Sequence, residues 1–361
     1  MSFSNPILRY AMIGTGMMGC EHIRNLKAIP SCEIVAISDP HQPSREAAAS
    51  LLPSVRQFSD YREMLAEVEL DVVVISTPNH THLDVLCDVF KIGAHVLVEK
   101  PLCLTVEQCE IAIAQEAATH RDGRVVWVGL EYRYMAPTAR LLQEIELGTC
   151  GEVKMVSIRE HRFPFLQKVN NWNRFNKNTG GTLVEKCCHF FDVMGLIAKS
   201  QVVRVYASGK QDVNHLDEIY NFEHSDILDN AYVIVDYENG VRGMLDLSMF
   251  AEGSVNEQEI CVVGSQAKVE ALITQSIVRI GRRDGWSQGV QELIVKQPED
   301  VVPGFHSGAS YLEHLAMQRA IREGTKSEVT LQDGLRAVAV GQAAHLSIAE
   351  NRLVDISELF R

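Results

Sequence analysis

Three segments of this 361-residue chain carry residue types that could do chemistry together. The first is Gly14-Thr15-Gly16-Met17-Met18-Gly19. Glycines at this spacing let the backbone turn sharply, approach a pyrophosphate closely and pack a helix against a strand. A helix opening at Met17 would face an anion with its N-terminal N–H groups. Asp39 follows Gly19 by 20 residues, where a carboxylate bonds the ribose hydroxyls of a dinucleotide. That carboxylate repels a 2′-phosphate, and the next arginine, Arg45, is six residues further on. NAD is therefore expected, with NADP the less favoured cofactor.

The second segment comes in two parts. Ser76-Thr77-Pro78-Asn79-His80-Thr81-His82 and Glu99-Lys100-Pro101 each follow a short apolar run. In open parallel sheets, ligands collect at the carboxyl ends of strands. Thr77, Pro78, Asn79, His82, Glu99 and Lys100 are thus candidate cofactor contacts, and Lys100 is a candidate partner in hydride transfer. A turn with Asn79 or Thr81 capping a helix explains the first part equally well. The third segment runs from Gly180 to Asp192 and holds Glu185 and His189, four apart. On one helix they would share a face. A histidine held by a carboxylate suits a general base near neutral pH. Asp192 is a second residue that could orient it. Taken alone, the segment also reads as a helix with one buried histidine.

The surrounding elements fit these roles. Up to about residue 130, apolar runs at Ile7–Ile13, Glu33–Ser38, Asp71–Ser76, His95–Glu99 and Val125–Gly129 alternate with helix-length stretches. This is the signature of βαβ units around a buried parallel sheet. Thr105 three residues ahead of Gln108 has the spacing of a capping box. Further on, a helix-like stretch (Pro137–Leu147), a strand (Gly151–Glu160) and a polar loop (His161–Gly181) precede one helix over Leu183–Ala198. From Gln201 to Lys296 the chain reads mostly as strands joined by short turns, then as helix at Tyr311–Arg322 and Leu331–Ile348. The expected fold is α/β: an N-terminal doubly wound parallel sheet (1–133), then an α+β domain with a large, open, mostly antiparallel sheet (134–361).

Composition narrows the partners. Lys and Arg number 34 against 47 Asp and Glu, a formal charge of −13. That surface lacks the basic footprint of nucleic-acid binding. No apolar run reaches a membrane span, and no secretory signal is expected. Nine cysteines without a CxxC pair argue against disulfides and against a structural metal, so no metal site is expected, and the chain reads as cytoplasmic.

As a set, the Gly14–Gly19 turn, Thr77-Pro78-Asn79 with His82, Glu99-Lys100-Pro101 and Glu185-x-x-x-His189 behind a glycine-rich loop resemble a family. It is the glucose–fructose oxidoreductase, inositol dehydrogenase and MocA-type oxidoreductases, and the resemblance runs along essentially the whole chain. It implies a Rossmann domain followed by an α+β domain whose sheet often joins subunits, so a homodimer or homotetramer is expected. It implies oxidation of a secondary hydroxyl of a cyclitol or sugar by hydride transfer to NAD(P). Lys100 would be the catalytic lysine and His189 the catalytic histidine. Inositol dehydrogenases carry aspartate where this chain has Glu185, which would orient His189 or touch substrate; Lys186 beside it adds a charge. For a polyol, Arg162 and Trp172 in the polar loop are candidate substrate contacts alongside Lys100, Glu185 and His189. Glu131-Tyr132-Arg133-Tyr134 reads as hinge packing, and His306 as part of a cap region. Two other classes resemble the same family: NAD-retaining glycoside hydrolases that work through transient oxidation, and non-catalytic dinucleotide-binding regulators. Retention of both Lys100 and His189 argues against a regulator.

Overall fold

The structure is a computed structural model that describes residues 6–298, 301, 302, 304 and 306–360. It divides into two compact units: residues 1–131 with 300–335, and residues 132–299 with 336–361.

In the first unit the elements run β1 (Leu8–Ile13), α1 (Met17–Ala28), β2 (Cys32–Ser38), α2 (Gln42–Leu51), β3 (Arg56–Phe58), α3 (Tyr61–Glu67), β4 (Val72–Ile75), α4 (His82–Ile92), β5 (His95–Glu99), α5 (Val106–Ala118) and β6 (Val126–Gly129). The six strands form a parallel sheet in the order β3-β2-β1-β4-β5-β6. Helices cover both faces of such a sheet, and β4 and β6 are accordingly apolar and wholly buried. β3 escaped the sequence reading because only Phe58 of its three residues is buried. At α5, Thr105 Oγ1 accepts from the Gln108 N–H as expected, while Gln108 Oε1 accepts from the Leu104 N–H, one residue ahead of the cap.

The division differs from the one expected at residue 134. The helix Ala309–Glu323 belongs to the first unit, packed on α1 and β6. Trp127 Nε1 donates to Glu313 Oε1 at 3.0 Å, and Arg322 donates to the Ser31 carbonyl at 2.9 Å. Tyr311, Met317 and Ala320 bury its apolar side. Sequence proximity alone had assigned this helix to the later domain.

The second unit holds α6 (Ala136–Glu146), β7 (Val153–His161), short helices α7 (Asn176–Thr179) and α8 (Thr182–Glu185), α9 (Cys188–Ala198) and β8 (Val202–Lys210). A small hairpin, β9 (Ile219–Tyr220) and β10 (Glu223–His224), precedes β11 (Asn230–Tyr237), β12 (Arg242–Ser248), β13 (Gln258–Gly264), β14 (Ala267–Leu272), β15 (Ile277–Arg282) and β16 (Gln291–Ile294). With β17 (Val354–Asp355) they build a nine-stranded sheet, β16-β15-β14-β13-β7-β12-β11-β8-β17. Only β7 and β12 pair in parallel; every other neighbouring pair is antiparallel. Burial alternates along β11 and β12, so one face is core and the other is open. Val205, Val233, Val235 and Leu245 line the buried face.

Candidate active site

In the first unit the glycine turn is held by backbone. Gly14 has φ +89°, and a Cβ there would lie 2.6 Å from the Ser76 carbonyl carbon. A Cβ on Gly19 would lie 2.3 Å from the Gly14 carbonyl oxygen. Gly16, in contrast, faces open space: nothing lies within 4 Å of where its Cβ would be. Gly16 also caps α1 without a side-chain bond to the helix N-terminus. A concave turn, free N–H groups and an open side at the middle glycine fit a pyrophosphate. Thr15, Met17 and Met18 complete this turn.

Asp39 stands at the end of β2. Its Oδ2 accepts from the Thr15 N–H at 2.8 Å and its Oδ1 from the His41 N–H at 2.8 Å. Arg45, six residues on in sequence, folds back through the first turn of α2 and donates to the Asp39 carbonyl. Thr77 and Pro78 follow β4, and Asn79 is buried at the start of a 3-10 turn. Thr81 Oγ1 donates to the Pro78 carbonyl at 2.8 Å, so the threonine braces this turn. His82 is fully buried. Its Nδ1 lies 2.9 Å from the Pro101 carbonyl and its Nε2 3.1 Å from the Thr77 carbonyl, tying together the loops after β4 and β5. Burial pulls its pKa down, against the upward pull of those carbonyls.

Lys100 is half-buried at the end of β5, beside Glu99. The Glu99 carboxylate accepts from His22 Nε2 at 2.8 Å, and His22 Nδ1 lies 2.9 Å from His314 Nε2. Burial pushes Glu99 up, but the His22 bond and the charges of His22, Lys100 and His306 outweigh it and hold the carboxyl well below its usual range. Burial and the neighbouring His22 hold His314 far below the ordinary histidine range. His306 Nδ1 sits 3.0 Å from Glu131 Oε1. These buried partners of Glu99 carry no sequence signal, because their spacing spans almost the whole chain.

In the second unit the expected helix over Leu183–Ala198 is interrupted. α8 ends at Glu185, Lys186 and Cys187 form a turn, and α9 starts at Cys188. Glu185 and His189 thus sit on two successive short helices, joined by Lys186 and Cys187, both of which keep right-handed helical backbone angles. Glu185 and His189 are both buried. The His189 imidazole lies flat on the Tyr132 ring, with centroids 4.0 Å apart and planes 7° apart. Lys186 is buried and donates to the Tyr132 hydroxyl at 2.6 Å. Its Nζ is 3.0 Å from Glu160 Oε1. Asp192, a candidate orienter of His189, binds Arg133 with both oxygens; the Arg133 Nε to Asp192 Oδ2 distance is 2.6 Å. Arg162 stacks on Phe163 at 4.2 Å and reaches Glu160 at 3.4 Å. Trp172 is half-buried, and its carbonyl accepts from Asn178 at 3.0 Å. The loop bends there through left-handed Asn170 and Asn171, both at φ +54°. Tyr132, read from sequence as hinge packing, is the residue that the sequence reading missed; 57 positions separate it from His189.

Among the described residues, no group of three or more His, Cys, Asp or Glu could hold a metal ion. No described helix is long and apolar enough to cross a membrane.

Comparison with known proteins matches both units. Residues 8–130 fit the model described as "Oxidoreductase family, NAD-binding Rossmann fold", and residues 143–356 fit "Oxidoreductase family, C-terminal alpha/beta domain". The myo-inositol 2-dehydrogenase of Thermotoga maritima is 25% identical over 357 residues, 98% of this chain and 99% of that protein. The scyllo-inositol 2-dehydrogenase (NAD(+)) of Bacillus subtilis is 25% identical over 356 residues, 97% of this chain and 96% of that protein. A solved levoglucosan dehydrogenase in complex with NADH and levoglucosan shares the fold, with TM-score 0.85 at 20% identity over 97% of this chain and 99% of that one. The chain belongs to the glucose–fructose oxidoreductase, inositol dehydrogenase and MocA-type oxidoreductase family, with its NAD-binding Rossmann fold in the first unit and its C-terminal α/β domain in the second.

Proposed function

We propose that this protein oxidises a secondary hydroxyl of a cyclitol or sugar, with NAD as the hydride acceptor. The observation that carries the reading is the placement of Lys100. It follows β5 at the carboxyl edge of the parallel sheet, the same edge at which the Gly14–Gly19 turn follows β1 and Thr77-Pro78-Asn79 follows β4. Ligands of doubly wound sheets lie along that edge, where the strand order reverses between β1 and β4. The inositol dehydrogenases similar along the full chain support the substrate class.

Gly16 and the N-terminus of α1 would hold the pyrophosphate, and Asp39 the adenosine ribose. Bound NAD supplies an electrophilic nicotinamide carbon that takes the hydride. The chain's own work is done on the alcohol. His189 removes the hydroxyl proton as general base. The Lys100 ammonium donates to the same oxygen and stabilises the alkoxide as it develops. Glu185 supports the imidazolium that results, in the manner of a carboxylate paired with a histidine. Arg162 and Trp172 contribute polar and flat surface for a ring bearing several hydroxyls.

The experiment is a screen of the purified protein with NAD against inositols, aldoses and anhydrosugars, read by absorbance of the reduced cofactor. Turnover of at least one polyol, lost in His189→Ala, is expected. Turnover of none overturns the substrate class, and full activity of His189→Ala overturns the assignment of the base. The same reading takes the protein as a homodimer or homotetramer joined through the open sheet face.

A further inference from the structure

The geometry points to Tyr132 and Lys186 as a positioning pair for His189, fixing the plane of the imidazole and keeping it uncharged near neutral pH. The inference rests on His189 being the base proposed above. Two parallel rings in contact cannot rotate independently, so the imidazole turns about its Cβ–Cγ bond only by leaving the Tyr132 face. The far end of that phenol is itself pinned. Lys186 Nζ donates to its oxygen at 2.6 Å, and Gln258 Nε2 donates at 3.1 Å. Lys186 is in turn fixed by Glu160, which has no exposed surface, with Nζ to Oε1 at 3.0 Å. A chain of contacts thus runs from a β7 carboxylate through the turn between α8 and α9 to the imidazole.

The charge on Lys186 gives this chain its electrostatic sense. An aromatic face attracts a cation lying on it. An ammonium donating to the phenol oxygen draws electron density out of the ring, so the face offers less to an imidazolium. The ammonium also opposes a second positive charge nearby. Charged and titratable groups near His189 along its own segment or through Tyr132 include Glu185, Lys186, Asp192 with Arg133, and Glu160. A carboxylate near the ring, such as Glu185, favours the charged imidazole, and Lys186, acting through Tyr132, opposes it. A base must be uncharged to accept a proton, so the pair prepares His189 for its task.

The test is an NMR titration of the His189 imidazole in the full-length protein, with its signal assigned by its disappearance in His189→Gln. Lys186→Met and Tyr132→Phe are each expected to raise its apparent pKa by about half a pH unit or more. Lys186→Met leaves Glu160 buried without its ammonium and threatens the fold. Tyr132→Phe keeps both the ion pair and the stacked ring and removes only the oxygen contacts. A folded Tyr132→Phe whose His189 titrates at the wild-type value or below overturns the inference. With a polyol that the wild type oxidises, the acid limb of the kcat/KM profile should move up with the titration, at unchanged Kd for NAD. Absence of any polyol turnover defeats the functional reading alone, since the titration still decides the role of the pair.

Discussion

Asp39, the proposed ribose ligand, is also engaged by the protein. Replacing it with Ser removes the acceptor used by the Thr15 and His41 N–H groups, so the glycine turn loosens while the ribose contact is lost. Hydrogen bonds to a charged group contribute about 1.5–3 kcal/mol each. NAD affinity is therefore expected to fall by about one to two orders of magnitude in Asp39→Ser, roughly the equivalent of one such bond to the ribose. NADP should lose less, because the repelling carboxylate is gone and Arg45 already stands at the same strand end. Titrating both cofactors by fluorescence checks this, and an unchanged ratio of their affinities would show that another group reads the ribose. On the proposed function, Lys100→Met removes the donor to the developing alkoxide, so kcat should fall about 10²–10³-fold. NAD binding should be unaffected, as measured in the absence of polyol. At this scale the sequence reading singled out the candidate ligand contacts, because their types are diagnostic at their spacing. It did not find their supports. Tyr132 under His189 and His22 with His314 behind Glu99 are ordinary residues whose partners lie far along the chain.

Two glycines of one turn separate packing from binding. A Cβ on Gly19 would fall on backbone, the Gly14 carbonyl, so neither neighbour can yield by rotating a side chain. Gly19→Ala should destabilise the protein by about 1–3 kcal/mol through overpacking, visible as a lower Tm. Gly16→Ala meets open space and keeps the fold, so its Tm should stay near wild type while NAD affinity drops. Equal effects of the two substitutions on Tm would contradict this division of roles. A second element-level device is His345, which accepts the Leu183 N–H at 3.1 Å at the start of α8. Burial holds its pKa down at about 4, against the upward pull of the Gly181 backbone. Its folded pKa lies below the unfolded value of about 6.5, so the unfolded chain binds the extra proton first. The stabilisation is present in full above pH 6.5 and is lost as pH falls through the window toward 4, about 3 kcal/mol across it. Denaturation of wild type and His345→Gln at pH 7 and pH 5 should show the wild type losing more stability on acidification. The strands and helices themselves were legible because their apolar patterns are long and their turns strongly marked. The stop between Glu185 and Cys188 was not, since Lys186-Cys187 contains no helix breaker.

At the scale of the molecule, the nine-stranded sheet leaves Tyr206, Ile234 and Met244 in direct register across three strands of its open face. All three are exposed, as is Tyr232 two residues from Ile234. A contiguous apolar patch of this kind marks an interaction surface. Sedimentation should therefore show a dimer or tetramer, and Ile234→Lys should shift it toward monomer; a wild-type monomer at micromolar concentration would contradict the expectation. The division into a dinucleotide unit and a larger sheet unit was readable from the change of texture after Tyr134. The return of residues 300–335 was not, because an amphipathic helix does not say which core it will cover.

That return bears on how the protein is made. A ribosome releases the six strands of the parallel sheet early, but Glu313 for Trp127 and His314 for His22 come 186 and 292 residues later, respectively. Until then Trp127 and His22 wait without those partners, while the whole nine-stranded sheet except β17 is synthesised in between. Domains commonly finish folding in the order in which they emerge. Here the domain begun first is closed only after the second is nearly complete, so a nascent chain halted near residue 290 would carry an unsealed nucleotide domain, and a gene fragment cut at residue 133 would inherit the same opening.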